Sequence, residues 1–221
     1  ARDTELIGEN VIDKLRGPAD VLLLGRSGLG KSFHLEHYRR RCVDADEVPI
    51  LLQARFYQRD LNRAIHKSIG QYTRLKPAEL LDVAKRLGKR PVLIVDAWND
   101  CPGPMQTDLG DDLGAFQLRY NARLVTASQT IPSHSLFASA AKIELGALRQ
   151  EHKKAIFAFH ARRQSESIPA HCCEPFSTAF DLSIAGRCQS NGAVSQTRAE
   201  LYDSYVRSML PSLSAAAAVF V

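Results

Sequence analysis

Eight consecutive residues, Gly25-Arg26-Ser27-Gly28-Leu29-Gly30-Lys31-Ser32, hold the densest chemistry in this 221-residue chain. They follow the pattern glycine, four residues, then Gly-Lys-Ser. Glycines at these positions let backbone amides curl inward around phosphate oxygens without Cβ clashes. A helix that starts at the lysine turns its positive end toward the anion. Lys31 then reaches the β- and γ-phosphates, and the Ser32 hydroxyl ligates Mg²⁺. The segment Gly25 to Ser32, with Phe33 next in line, is therefore expected to bind a purine nucleoside triphosphate. ATP or ADP with Mg²⁺ are the cofactors implied. No Asn-Lys-x-Asp guanine-reading motif occurs in the sequence, which favours adenine.

A second metal ligand is expected at Asp96. Pro91-Val92-Leu93-Ile94-Val95-Asp96 is an apolar run that delivers a carboxylate at its end, where an open α/β sheet places its ligand groups. Asp96 would hold Mg²⁺ directly or through water. Asp100, four residues on, is the candidate general base for an attacking water. The lone Trp98 reads as packing. His171-Cys172-Cys173 lacks a second ligand pair at zinc spacing and reads as a loop. Arg39-Arg40-Arg41 falls at a helix end, where cations complement the helix dipole.

The elements that must position these groups follow from periodicity. Val11, Ile12 and Leu15 share one face of a short opening helix, broken by Pro18-Ala19-Asp20. Val21-Leu22-Leu23-Leu24 is the continuous apolar run of a strand buried on both faces. The loop follows, then a helix from Lys31 to about Arg41 with Leu35, Tyr38 and Cys42 inside. Pro49-Ile50-Leu51-Leu52 is the second strand. Asp60 caps a helix with Leu61, Ile65 and Ile69 at fourfold spacing. Pro77 starts another and Gly88 follows its end, with Leu80, Leu81, Ala84 and Leu87 as its buried stripe. Asn99 to about Asp112 reads as a polar loop. Arg123-Leu124-Val125-Thr126 and Lys142-Ile143-Glu144-Leu145 are the last two strands. Helices are then expected at Gln150 to Arg163, with Ile156 and Phe159 inside, and at Asp181 to Arg187. Thr197-Arg198-Ala199-Glu200 is a capping box. It opens a helix with Leu201, Tyr205 and Met209 in its stripe and Pro211 as its stop. The expected fold is thus α/β: a parallel five-stranded sheet carrying the P-loop, with helices on both faces, over residues 1–147, then a small helical domain over 148–221.

In this order the motifs resemble the signal-transduction NTPases with numerous domains, the STAND class with its NACHT-type switches, within the AAA+-like P-loop ATPases. Leu6-Ile7-Gly8 looks like the segment that the family lays against the adenine. Val95-Asp96-Ala97-Trp98-Asn99-Asp100 resembles its magnesium strand, with Asn99 and Asp100 where Asp and Glu are usual. Ile143 to Leu148 resembles the passage into the lid, and Leu201 to Leu210 its last helix. Cys173-Glu174-Pro175 matches the lid's Gly-x-Pro in part, which places Pro175 at the nucleotide. Thr126-Ala127-Ser128-Gln129-Thr130 lacks the Arg that often follows the fourth strand. The resemblance implies a switch that hydrolyses ATP slowly. ADP would hold the lid closed and ATP would favour self-association, with homo-oligomers as the outcome and sensor and effector domains flanking these residues.

Two other readings compete. An AAA+ ATPase that remodels or loads a nucleic-acid or protein partner would use a trans-acting arginine, with Arg119 and Arg123 as candidates. A small-molecule kinase would need a basic lid, for which the Arg162-Arg163 pair is a candidate. Nucleic acid is the less favoured partner here. The net charge of +5 is mild and fits anionic ligands in general. Five cysteines without a CxxC pair argue against a disulfide framework and for a reducing, cytoplasmic setting. No apolar run is long enough to span a bilayer. The start at Ala1 and the apolar finish Ser214 to Val221 suggest a domain of a longer protein.

Overall fold

A computed structural model describes residues 9–42, 46–190, 195 and 197–217, with side chains from Val11 to Ser208 within those ranges. Leu6-Ile7-Gly8 and the Met209 side chain lie outside the described residues. Contacts divide the chain into two units: residues 1–26 with 31–146, and residues 27–30 with 147–221.

The first unit is built on five parallel strands, β1 (Val21–Leu24), β2 (Glu47–Gln53), β3 (Arg90–Asp96), β4 (Arg123–Ser128) and β5 (Ala141–Glu144), in the order β2-β3-β4-β1-β5. Every residue of β1 and β4 is buried, as the absence of polar alternation in Val21-Leu22-Leu23-Leu24 requires. Leu22 and Leu24 of β1, with Leu93 and Val95 of β3, face one core with Ile65, Leu81, Leu113 and Phe116. The alternate residues Val21, Leu23, Val92 and Ile94 are equally buried. They point to the opposite face of the sheet.

Seven of the eight helices named here fall where the sequence pattern places a helix, although the end of α8 and the buried face of α6 differ. They are α1 (Glu9–Leu15), α2 (Lys31–Cys42), α3 (Leu61–Ile69), α4 (Pro77–Arg86), α5 (Gly103–Tyr120), α6 (Gln150–Ala161), α7 (Ala179–Ser190) and α8 (Arg198–Ala217). Asp60 caps α3 by accepting from the Arg63 amide at 2.9 Å. In α4, Leu81 and Ala84 are buried and Leu80 packs against them, but Leu87 stands exposed. The helix ends at Arg86, so Leu87 leaves the stripe.

The exception is α5. The expected polar loop from Asn99 to Asp112 is a loop only as far as Pro102, and helix from Gly103 onward. Its Gly and Asp content hides a periodic stripe of Leu109, Leu113 and Phe116 that sits in the core. Gly110 is needed beneath the His134 ring, where a Cβ would lie 2.5 Å from the nearest ring atom.

On the far side of the sheet, Arg123 of β4 is 0% exposed. Its guanidinium donates to the Ala19 carbonyl at 2.8 Å, to the Tyr38 hydroxyl at 2.7 Å and to the Leu15 carbonyl. It also pairs with Glu47 at 3.5 Å. One side chain thus joins α1, the turn after it, α2 and β2. Burial pushes the neighbouring Cys42 thiol up to about 12 and raises Tyr38 as well.

In the middle of α2, Glu36 receives Arg39 at 2.7 Å and Arg40 at 3.0 Å. The hydrogen bond from Arg39 is the main reason its carboxyl is held down at about 2 rather than 4.5. A depressed acid stabilises the fold above its unfolded pKa and loses that contribution as pH falls toward the folded one. Glu36→Gln is therefore expected to cost ~0.5 kcal/mol at neutral pH, a solvent-screened value. Urea midpoints of parent and variant should converge as pH falls from 4.5 toward about 2.

The helical unit has its own core of Phe157, Ala158, Ala161, Phe176, Leu182, Ala185 and Leu201, among others. Phe157, rather than Phe159, is the inward aromatic of α6; Phe159 is exposed. Gly186 lets α7 approach α6 closely, since a Cβ there would meet the Phe157 carbonyl at 2.5 Å. The Thr197–Glu200 capping box forms, with reciprocal bonds of 3.3 and 3.2 Å. Pro211 does not stop α8, which continues to Ala217. Proline's φ suits a helix even though it forfeits one hydrogen bond, and the alanines beyond it have the highest helix propensity. Among the described residues no helix is long and apolar enough to cross a membrane.

Candidate functional site

Parallel pairing delivers the chemistry-bearing residues to one edge of the sheet. Leu24, the last residue of β1, is level with Ser128 of β4, and Val95 of β3 is level with Thr126. Gly25 and Asp96 therefore leave the sheet at its carboxyl end, flanking β4. The glycines adopt the backbone that the loop requires: Gly28 has φ 80° and Gly30 φ 95°, a left-handed region that other residues enter at a cost.

Lys31 opens α2 and is buried. Its ammonium donates to the Gly25 carbonyl at 2.6 Å and to the Arg26 carbonyl at 3.0 Å. Burial lowers its pKa, and the negative charges of Asp96 and Asp100 act against that lowering. The lysine and both carboxylates thus share one electrostatic environment. One Asp96 oxygen, Oδ1, is buried with no hydrogen-bond partner. A buried carboxylate oxygen left unpaired is costly, and a cation with oxygen preference is the kind of ligand that would satisfy it. The donor set therefore fits Mg²⁺, with Ser32 exposed one residue after Lys31.

Beyond Asp96 the chain makes a tight corner. Ala97 takes φ 54°, left-handed for a non-glycine residue, and Trp98 to Asp100 form a 3-10 turn. Trp98 packs edge-on to Phe137 at 4.9 Å and is buried, so it is part of the core. Asn99 is the residue whose role the sequence concealed. Its Oδ1 accepts from the Gln129 amide at 3.1 Å, and its Nδ2 donates to Asp100 at 2.7 Å. It ties the β3 corner to the end of β4 and restrains the Asp100 carboxylate, which is otherwise exposed. The Thr126 and Ser128 hydroxyls were also missed. Both are buried without partners, and polar residues inside a buried strand were the available signal.

The remaining candidates separate. Arg26 and Ser27 are exposed, and Leu29 is half-buried. Phe33 is exposed and contacts His34 and His37 edge-on at 5.8 and 6.2 Å. Burial, and His37 after it, lower the His34 pKa. Pro175 lies exposed in a turn of the helical unit, before buried Phe176. Ile7 lies outside the described residues. Arg119 is exposed near the end of α5. Arg123 is buried in the network described above, so it cannot reach a neighbouring subunit as a trans-acting arginine. Arg162 ends α6 in the left-handed conformation.

Sheet order, phosphate loop and helical C-terminal region define an α/β P-loop NTPase fold. Among solved structures the chain is similar to the Aeropyrum pernix Orc1 protein in complex with DNA, with a TM-score of 0.58 and 17% identity over 93% of this chain and 66% of that one. It is similar also to a Walker-type ATPase of Pyrococcus abyssi, at TM-score 0.60 and 14% identity over 96% and 74%. A third is the replication initiator DnaA bound to AMPPCP and single-stranded DNA, at 0.55 and 12% over 82% and 61%. The chain thus spans less than two thirds of the Orc1 and DnaA chains. No protein-family model and no curated protein matches the sequence.

Proposed function

We propose that this chain binds ATP and ADP with Mg²⁺ at the phosphate loop, hydrolyses ATP slowly, and acts as a switch. Its nucleotide state would control self-association and signalling by flanking domains. The observation that carries the nucleotide reading is the unpartnered, buried Asp96 oxygen in the same electrostatic environment as the Lys31 ammonium. In this reading the amides of Gly25 to Lys31 cradle the phosphates, Lys31 neutralises their β- and γ-charge, and Ser32 and Asp96 hold the metal. Bound Mg²⁺ would supply further charge neutralisation. Asp100 orients the attacking water. Its short side chain and its tie to Asn99 support slow turnover. Phe33 and, by the resemblance, Ile7 are further residues assigned to the nucleotide. A switch works only through different affinity of the nucleotides for two conformations.

The Orc1 and DnaA structures named with DNA favour a second reading, in which the chain loads or remodels a nucleic-acid partner. Turnover and sedimentation separate the two. Mass that rises with ATP and not with ADP supports the switch; equal mass in both removes it. Turnover stimulated by DNA promotes the loader. For the site itself, Asp96→Asn should slow turnover on the order of 100-fold and abolish the gain in ATP affinity on adding Mg²⁺. Parent-like turnover and metal dependence in that variant would remove the assignment.

A further inference from the structure

β2 is an edge strand, since the sheet order begins with it. An open edge invites another strand, but this one is blunted. Pro49 has no N–H to offer, and the Leu51 carbonyl accepts from the Ser68 hydroxyl. What β2 leaves available is a side-chain pocket of about 320 Å³ between the strand, α2 and α3. Its lining includes Arg39, Gln53, Phe56, Lys67 and Tyr72, and contains no Asp or Glu.

Two large aromatic rings on this rim face solvent: Phe56 is 47% exposed and Tyr72 65%. Each has cations of its own. The Arg39 guanidinium lies 5.1 Å from the Tyr72 ring centre. Arg55 and Lys67 lie 4.7 and 4.5 Å from that of Phe56. Arg39 shares its charge with Glu36, whereas Arg55 is steadied by the neutral Gln53 amide oxygen at 2.8 Å.

We propose that this pocket binds single-stranded nucleic acid: the phosphates draw Arg39, Arg55 and Lys67 off the ring faces they cover, and bases stack on Phe56 and Tyr72 in their place. Exposed rings interleaved with cations are what an unpaired strand needs, because every base has a π-face and every linkage a charge. Two separate rings suit a strand of several bases better than one mononucleotide. An acidic peptide would use the cations and leave both rings idle. A duplex keeps its bases stacked inside and offers the rings nothing. The proposal uses no residue of the phosphate loop, so it stands or falls separately from the nucleotide reading.

Fluorescence anisotropy with a labelled oligothymidylate of about 15 nucleotides, a length within known single-strand site sizes, tests it on the full chain. Phe56→Ala and Tyr72→Ala are each expected to weaken binding about tenfold. Lys67→Gln should reduce the dependence of log affinity on log salt by about 0.7. These side chains lie at the surface, and circular dichroism with a MgATP titration verifies that each variant is folded. Parent affinity in both aromatic variants overturns the proposal, as does displacement by duplex, by mononucleotide or by polyglutamate as effective as by unlabelled single strand. Loss of strand binding by the parent with MgATP binding intact sinks this inference alone. Loss of MgATP binding with strand binding intact sinks only the nucleotide reading.

Discussion

Lys31→Ala is expected to weaken MgATP binding on the order of 100-fold, with a smaller loss for MgADP, in calorimetric titrations. The basis is the difference between what Lys31 does in the fold and what it would do at a phosphate. In the fold its ammonium reaches two backbone carbonyls at the cost of burial, which lowers its pKa. At a triphosphate it would make charge-assisted hydrogen bonds, worth ~1.5–3 kcal/mol, to the most negative part of the ligand. ADP lacks the γ-phosphate and forfeits less. The lowered pKa also has a direction in pH: the ammonium becomes neutral below the ordinary lysine range, so parent affinity should begin to fall at a correspondingly lower pH. The variant should keep its thermal transition, because removing a desolvated charge leaves only two carbonyls to rehydrate. Unchanged affinity for both nucleotides in the variant would end the central claim about this loop.

Arg123→Met should destabilise the α/β unit by ~3–5 kcal/mol. Methionine fills the volume but leaves the Leu15 and Ala19 carbonyls without their donor and removes the positive charge beside Glu47, which keeps the Tyr38 hydroxyl as donor at 3.0 Å. Total stability of a domain is ~5–15 kcal/mol, so the loss is a large share of it. A fall in Tm of about 10 °C is expected at this size. Adding Glu47→Gln to the methionine variant should recover part of the loss, because the stranded charge is removed; a double-mutant cycle measures that coupling. A loss below about 1 kcal/mol would mean that the network is solvated rather than buried.

Much of this was legible in the residues because it rests on local rules. Four consecutive apolar residues make a buried strand wherever they occur, and a glycine-rich loop between strand and helix has few other uses. Asp60 and Thr197 announce their caps. The polar stretch from Asn99 to Asp112 misled because composition outweighed periodicity: Gly103, Gly110 and the aspartates suggest a loop, while Leu109, Leu113 and Phe116 settle on one helical face only when a core exists to receive them. Pro211 misled in the opposite way, since one proline is outweighed by the strong helix formers around it.

The sequence by itself determined the parallel α/β plan, the phosphate loop and the strand-end carboxylate Asp96, because each depends on a short contiguous pattern. Only the tertiary structure decided which arginine was buried, that Asn99 bridges β3 to β4, and that Asp96 keeps one oxygen buried and unpaired. Those facts join residues tens of positions apart in sequence. They depend on strand order and register, which local patterns do not encode.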